Sequence, residues 1–172
     1  GRSPSACAIA FGSKALMRPK DGINRAEASK ITTLIFSSLE AAQKTFAPFQ
    51  YQPGTTAVNY RDVTVSDWFA PFVYYLFQEG IVANKPAYRP ADQLTVAEAM
   101  KLLVEAYASL SPEVASELST QKKSEWYVPY QTIAKFVKAS IGKAPPASIA
   151  TREQIAELLY KLFGAYPVGK FK

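Results

Sequence analysis

Trp68-Phe69-Ala70-Pro71-Phe72 decides how this chain is read, because it returns as Trp126-Tyr127-Val128-Pro129-Tyr130. Each copy leads into an apolar run and then a helix-start phrase: Thr95-Val96-Ala97-Glu98 after the first, Thr151-Arg152-Glu153-Gln154 after the second. A third start phrase, Asn24-Arg25-Ala26-Glu27, lies near the N-terminus. Self-similarity at a near-constant interval marks a modular fold whose units bury their apolar faces against each other. A repeated unit with one polar corner also offers the same binding groove more than once.

Working outward, each unit reads as short helix, loop, capping box and longer helix. In a capping box the first side chain accepts from the fourth residue's N–H, and the Glu or Gln reaches back to the first residue's N–H. That pattern accounts for Asn24 and Glu27, Thr95 and Glu98, and Thr151 and Gln154 as helix-capping residues. Behind the caps, Ile31, Leu34, Ile35, Leu39 and Ala42 predict one long helix, Ala99, Leu102, Leu103, Ala106 and Tyr107 a second, and Ile155, Leu158, Leu159, Leu162 and Phe163 a third ending at Gly164. Short helices are predicted over 4–16, over Pro71 to Gln78 with Gly80 as C-cap, and over Pro129 to Ile141 with Gly142 as the stop. Strand signals are nearly absent, so the fold class is all-α.

The predicted organisation is one domain over 1–172: repeat one 1–46, repeat two 60–108 and repeat three 124–164. Pro, Gly and polar residues mark connectors at 47–59 and 109–123, the second holding Pro112 and one turn of helix. The tail 165–172 has no role in the repeat pattern.

Composition narrows the chemistry. Hydrophobic residues make up 48% and charged residues 20%, which is globular rather than disordered. The chain has no histidine and one cysteine, Cys7, so it lacks the commonest general base, a zinc-type cluster and an internal disulfide. No metal or cofactor site is expected, and an enzyme is disfavoured. Apolar stretches stop well short of a membrane span. A signal peptide is absent from this sequence and is expected to have been removed. The balance of 20 basic against 14 acidic residues gives +6, which favours an anionic partner but equally suits solvated surface lysines. Scattered lysines and aromatics required by helix faces argue against nucleic acid.

Two side-chain types leave alternatives open. Arg25 and Arg152 follow their caps directly, where a cation opposes the helix dipole. Each is either a solvated side chain or, with the free N–H groups of the helix start, a site for a carboxylate or phosphate. Trp68 and Trp126 are either wedges between helix pairs or rings on which a sugar face stacks; the two roles are compatible.

Together these features resemble the S-layer homology family. Tyr60-Arg61-Asp62-Val63, Trp68-Phe69-Ala70-Pro71, Glu79-Gly80-Ile81-Val82, Tyr88-Arg89-Pro90 and Leu94-Thr95-Val96-Ala97-Glu98 match its unit in order. The third repeat keeps Trp126, Pro129, Thr151 and Arg152 but lacks the Asp-Val phrase; the first keeps Ile23 to Glu27, and its Pro4 aligns with Pro71, so the chain is expected to begin inside that repeat. The resemblance implies three repeats packed as a pseudo-threefold bundle. It implies a non-enzymatic module outside the cell, at the cell surface or cell wall, that binds an acidic or pyruvylated cell-wall polysaccharide in grooves between repeats. Carried onto this sequence, it makes Arg25 and Arg152 ligand contacts, with Trp68, Trp126 and Gly80 as groove candidates. Val96 stands where the middle repeat would carry the arginine, so that groove is expected to have lost its cation. The alternative is a structural subunit whose degenerate repeats assemble with copies of themselves into a surface layer or filament.

Overall fold

The computed structural model describes residues 18–47, 60–121 and 124–167. The predicted helix over 4–16, Cys7, connector residues 48–59 and the end of the tail lie outside them.

Seven α-helices follow in order among the described residues: α1 Arg25–Phe36, α2 Leu39–Phe46, α3 Ala70–Gln78, α4 Val96–Ala108, α5 Pro112–Thr120, α6 Val128–Phe136 and α7 Arg152–Ala165. A 3-10 helix spans Ser140–Lys143, and no strand occurs among these residues. The all-α expectation holds.

The long helices α1, α4 and α7 start where the capping boxes place them. Glu27 N–H donates to Asn24 Oδ1 at 2.8 Å, Glu98 N–H to Thr95 Oγ1 at 3.2 Å and Gln154 N–H to Thr151 Oγ1 at 3.3 Å. In return the backbone N–H of Asn24, Thr95 and Thr151 donates to the Glu27, Glu98 and Gln154 side chains at 3.2, 3.1 and 3.0 Å. Each cap satisfies donors that a helix start would otherwise leave orphaned, worth about 1 kcal/mol.

Helix α4 is the hub of the main core. It packs on α1 and α7, and also on α5 and α6. Its predicted apolar face is buried throughout, with Ala99 and Tyr107 fully enclosed and Met100 and Val104 beside them. The short helices pack out of register with the repeats: α3 lies on α1 and α2, and α6 lies on α4. The short helices of the second and third units therefore cover the long helix of the unit before each. A smaller aromatic cluster of Phe46, Tyr60, Val63, Tyr74 and Tyr88 closes the α2–α3 side.

Several expectations are corrected. The first long helix does not run through to Ala42. It ends at Phe36, and Ser38 caps α2 by accepting from Ala41 N–H at 3.0 Å, which leaves Leu39 exposed while Ala42 is buried. Ser37-Ser38 supplies a local cap that competes with helix continuation. The connector after Ser109 holds a nine-residue helix rather than one turn: Ser111 is its N-cap, Pro112 its first residue, and buried Val114 ties it to the core. Gly164 lies inside α7 rather than ending it.

Helix α6 ends at Phe136, not Ile141, and Gly142 is not its stop. Lys138 takes the left-handed conformation at φ 59°; its N–H donates to Lys135 O and that of Ala139 to Ala134 O, both at 3.0 Å. Gly80, at φ 71°, makes the same closure after α3 through Gly80 N–H to Phe77 O and Ile81 N–H to Leu76 O. Gly142 serves close packing instead, because a Cβ there would lie 2.8 Å from Lys135 N.

The tail also begins inside the core. Tyr166 is buried, its carbonyl accepts from the Tyr107 hydroxyl, and its own hydroxyl donates to Glu117 at 2.7 Å. Tyr166 thereby fastens α5 to the end of α7.

Candidate functional site

The three helix starts are joined by a cyclic set of backbone hydrogen bonds. Arg25 and Ala26 N–H donate to Asp92 and Pro90 carbonyls, and Val96 and Ala97 N–H donate to Ser148 and Pro146 carbonyls. Arg152 and Glu153 N–H then donate to Asp21 and Pro19 carbonyls. Each long helix thus delivers its first two N–H groups to the loop of the next unit, and the last delivers them to the first. The residues before the caps, Ile23, Leu94 and Ala150, are buried at the centre, where Leu94 N–H meets Ile23 O and Ala150 N–H meets Leu94 O at 2.9 Å each.

These bonds use the helix-start groups that the sequence offers to an anion. The N–H groups proposed to face an incoming anion are taken by protein carbonyls and by the caps. The arginines beside them are engaged as well. Arg25 donates from Nε to Tyr88 O at 2.7 Å and from a terminal nitrogen to Glu98 Oε1 at 3.0 Å, while its guanidinium lies 4.9 Å over the Tyr88 ring. Arg152 is buried and donates to both Glu27 oxygens at 3.0 Å. In both cases the arginine at the first helical position meets the capping glutamate of the following unit. The anion that offsets its unfavourable place at the positive helix end is internal.

The third joint obeys the same register with other residues. Val96 holds the first position of α4 and is fully buried; Gln154 is the capping residue of the following unit. Both halves of the charge pair are absent together. An arginine facing Gln154, or a glutamate facing Val96, would leave a partly buried charge without its counterion.

Trp68 and Trp126 both reach the surface. They are 56% and 52% exposed. Each indole is braced edge-on by the next aromatic residue, Phe69 at 5.4 Å and Tyr127 at 5.8 Å. One lysine stands over each ring: Lys30 Nζ lies 5.8 Å from the Trp68 centroid and Lys101 Nζ 6.0 Å from that of Trp126. Lys30 and Lys101 occupy the same position, two turns into α1 and α4. The signal for them was present in sequence as a matching spacing from each cap, but nothing local tied it to the tryptophans.

A groove of about 320 Å³ joins these groups at one joint. Its walls include Arg25, Glu98, Lys101 and Trp126, with Lys85 and Tyr60 at the loop side and Ile81, Leu94 and Leu102 beneath. Three cations face one carboxylate, and that carboxylate is bound by Arg25. Gly80 is not among the lining residues; it shapes the turn that brings Ile81 there. The loop itself is held by Asp62, whose carboxylate accepts from Tyr88 and Arg89 N–H at 2.7 Å each, and by the Tyr60 hydroxyl on Ala83 O at 2.6 Å. Burial pushes the Tyr60 hydroxyl up to about 12, with the neighbouring Tyr88 adding to the shift. A cleft at the third joint is lined by Lys20, Ser140, Glu153, Gln154 and Glu157. There Lys20 pairs with Glu153 at 2.6 Å and Glu157 accepts from Ser140 N–H at 3.0 Å. No group of acidic, Cys or His residues among the described residues could hold a metal ion.

Comparison with known families decides the class of the middle unit. Residues 59–100 match the S-layer homology domain. S-layer homology domains are generally non-catalytic cell-wall anchoring modules that bind secondary cell-wall polymers, and they mark association with the cell surface or wall. The matched segment contains the groove loop, Trp68 and the Thr95–Glu98 cap; Arg25, Lys101 and Trp126 come to the groove from outside it. No curated protein matches the chain. No helix among the described residues is long and apolar enough to cross a membrane.

Proposed function

We propose that this protein is an extracellular anchoring module that holds its chain to the bacterial cell wall by gripping an acidic wall polysaccharide between units. A pyruvylated polymer is one form such a ligand takes. The three helix starts, linked by equivalent hydrogen bonds, support three units arranged about a common pseudo-threefold axis.

The observation that carries the reading is the groove containing Trp126, Lys101, Lys85 and Arg25. An exposed indole, fixed by Tyr127, offers a flat apolar face to a sugar ring. Cations at its rim suit an acidic substituent on that ring. Trp68 with Lys30, beside the Arg152–Glu27 pair, repeats the same elements at a second joint. Two such sites on one rigid body raise affinity for a polymer through effective concentration without any new contact.

The test is co-sedimentation with cell-wall sacculi from the organism that encodes the chain. Wild-type protein is expected in the pellet and Trp68→Ala/Trp126→Ala in the supernatant, both with the same circular dichroism spectrum, because the replaced rings are half exposed. Equal pelleting of the two overturns the reading. A tube without sacculi separates anchoring from self-assembly, since a surface-layer or filament subunit sediments there unaided.

A further inference from the structure

We propose that Lys30 and Lys101, rather than the arginines at the helix starts, select the anionic group of the ligand, and that the sixth helical residue decides which joints bind. The inference rests on the anchoring reading and names the side chains that give it specificity.

The argument begins with charges already matched. Arg25 and Arg152 have side chains only 19% and 8% exposed, and each holds a glutamate of the next unit at 3.0 Å. An incoming acid would have to displace that carboxylate, leaving a capping residue without its cation. Lys30 and Lys101 make no ion pair among the described residues, and each ammonium stands over an exposed indole. A sugar stacked on that indole brings an equatorial carboxylate or phosphate within reach of the ammonium. The ring and its acidic group are thereby read together, which a neutral glycan does not satisfy.

The third joint carries the opposite sign. Glu157 stands in α7 where Lys30 and Lys101 stand in α1 and α4, and it is occupied by Ser140. Beside it lie Gln154 and the Lys20–Glu153 ion pair, so Glu157 is the charge left unmatched by a cation among the described residues of this cleft. An anion gains nothing there, so two joints bind and the third does not.

The experiment measures sacculus affinity of the full chain by co-sedimentation across a protein concentration series. Lys30→Glu/Lys101→Glu is expected to weaken binding about tenfold or more, while Lys30→Arg/Lys101→Arg retains it and Glu157→Gln changes nothing. Lys30→Met/Lys101→Met keeps the apolar stems and is expected to lose affinity as well, which separates charge from packing; melting curves confirm that all variants fold. Sacculi with carboxylates amidated, and sacculi stripped of phosphodiesters, distinguish the two sources of anion: loss on the first assigns a carboxylate, loss on the second a phosphate. Wild-type affinity in the Lys→Glu variant, or undiminished binding to both treated preparations, overturns the proposal while leaving anchoring intact. Failure of the wild type to pellet overturns both.

Discussion

The joints Arg25–Glu98 and Arg152–Glu27 differ from the joint Val96–Gln154 in both partners at once. All three keep the same backbone bonds and the same side-chain cap. What varies is a charge pair laid on top of them. A joint is therefore closed by its hydrogen bonds, and the ion pair is an addition that is present whole or absent whole. A half pair is worse than none, because a partly buried charge without its counterion carries its desolvation cost alone.

The largest expected effect comes from breaking one half. Glu27→Ala is expected to destabilise by about 3 kcal/mol, since it removes a cap and the carboxylate facing buried Arg152. Gln154→Ala at the uncharged joint is expected to cost only the cap, about 1 kcal/mol. Denaturant unfolding of both variants checks the difference; equal losses would erase the distinction between the joints.

Building the missing pair sharpens the comparison. Val96→Arg alone places a cation at a fully buried position and is expected to destabilise. Val96→Arg/Gln154→Glu is expected to recover part of that loss, with a coupling of about 1–2 kcal/mol in a double-mutant cycle. Additive losses would mean the third joint lacks the geometry of the other two.

A parallel contrast lies at the ends of the short helices. Gly80 and Lys138 hold the same left-handed position, but only glycine does so without a Cβ penalty. Lys138→Gly is expected to stabilise by about 1 kcal/mol and Gly80→Ala to destabilise by about as much, read from thermal melting. A loss of stability on Lys138→Gly would show that the lysine side chain contributes more than the strain removes.

The smallest effect appears only at alkaline pH. A tyrosine whose hydroxyl is raised in the folded state ionises first in the unfolded chain, which draws the equilibrium toward unfolding as pH rises. Tyr60 is raised to about 12, and burial also raises Tyr88 and Tyr107. Stability is expected to hold below about pH 10 and to fall between about pH 10 and 12, with tyrosinate absorbance appearing together with loss of helix. Free ionisation of every tyrosine before any loss of helix would contradict the enclosed aromatic cluster around Tyr60.

The readings that succeeded from sequence depend on residues at most a few positions apart. Capping boxes, the apolar stripe of α4 and the glycine after α3 are local, because helix geometry fixes which neighbours meet. Where local signals competed, the reading slipped: the Ser37-Ser38 break was hidden by an apolar spacing that ran across it, and Ser111-Pro112 announced a whole helix where one turn was expected. Trp68 and Trp126 posed a different difficulty. The same indole fills a core or lines a groove, and only its exposure in the folded chain distinguishes the two.

The sequence by itself determined the recurring phrases, the three helix starts and the all-α class, and it contains no histidine. The tertiary structure decided where the charges go. Arg25 finds Glu98 across 73 residues and Arg152 finds Glu27 across 125, separations at which spacing carries no information. Only closing the units on one another brings the first residue of one helix to the cap of the next. That closure pairs the two arginines that resemble ligand contacts with carboxylates of the next unit, and sets Lys30 and Lys101 over the two exposed indoles.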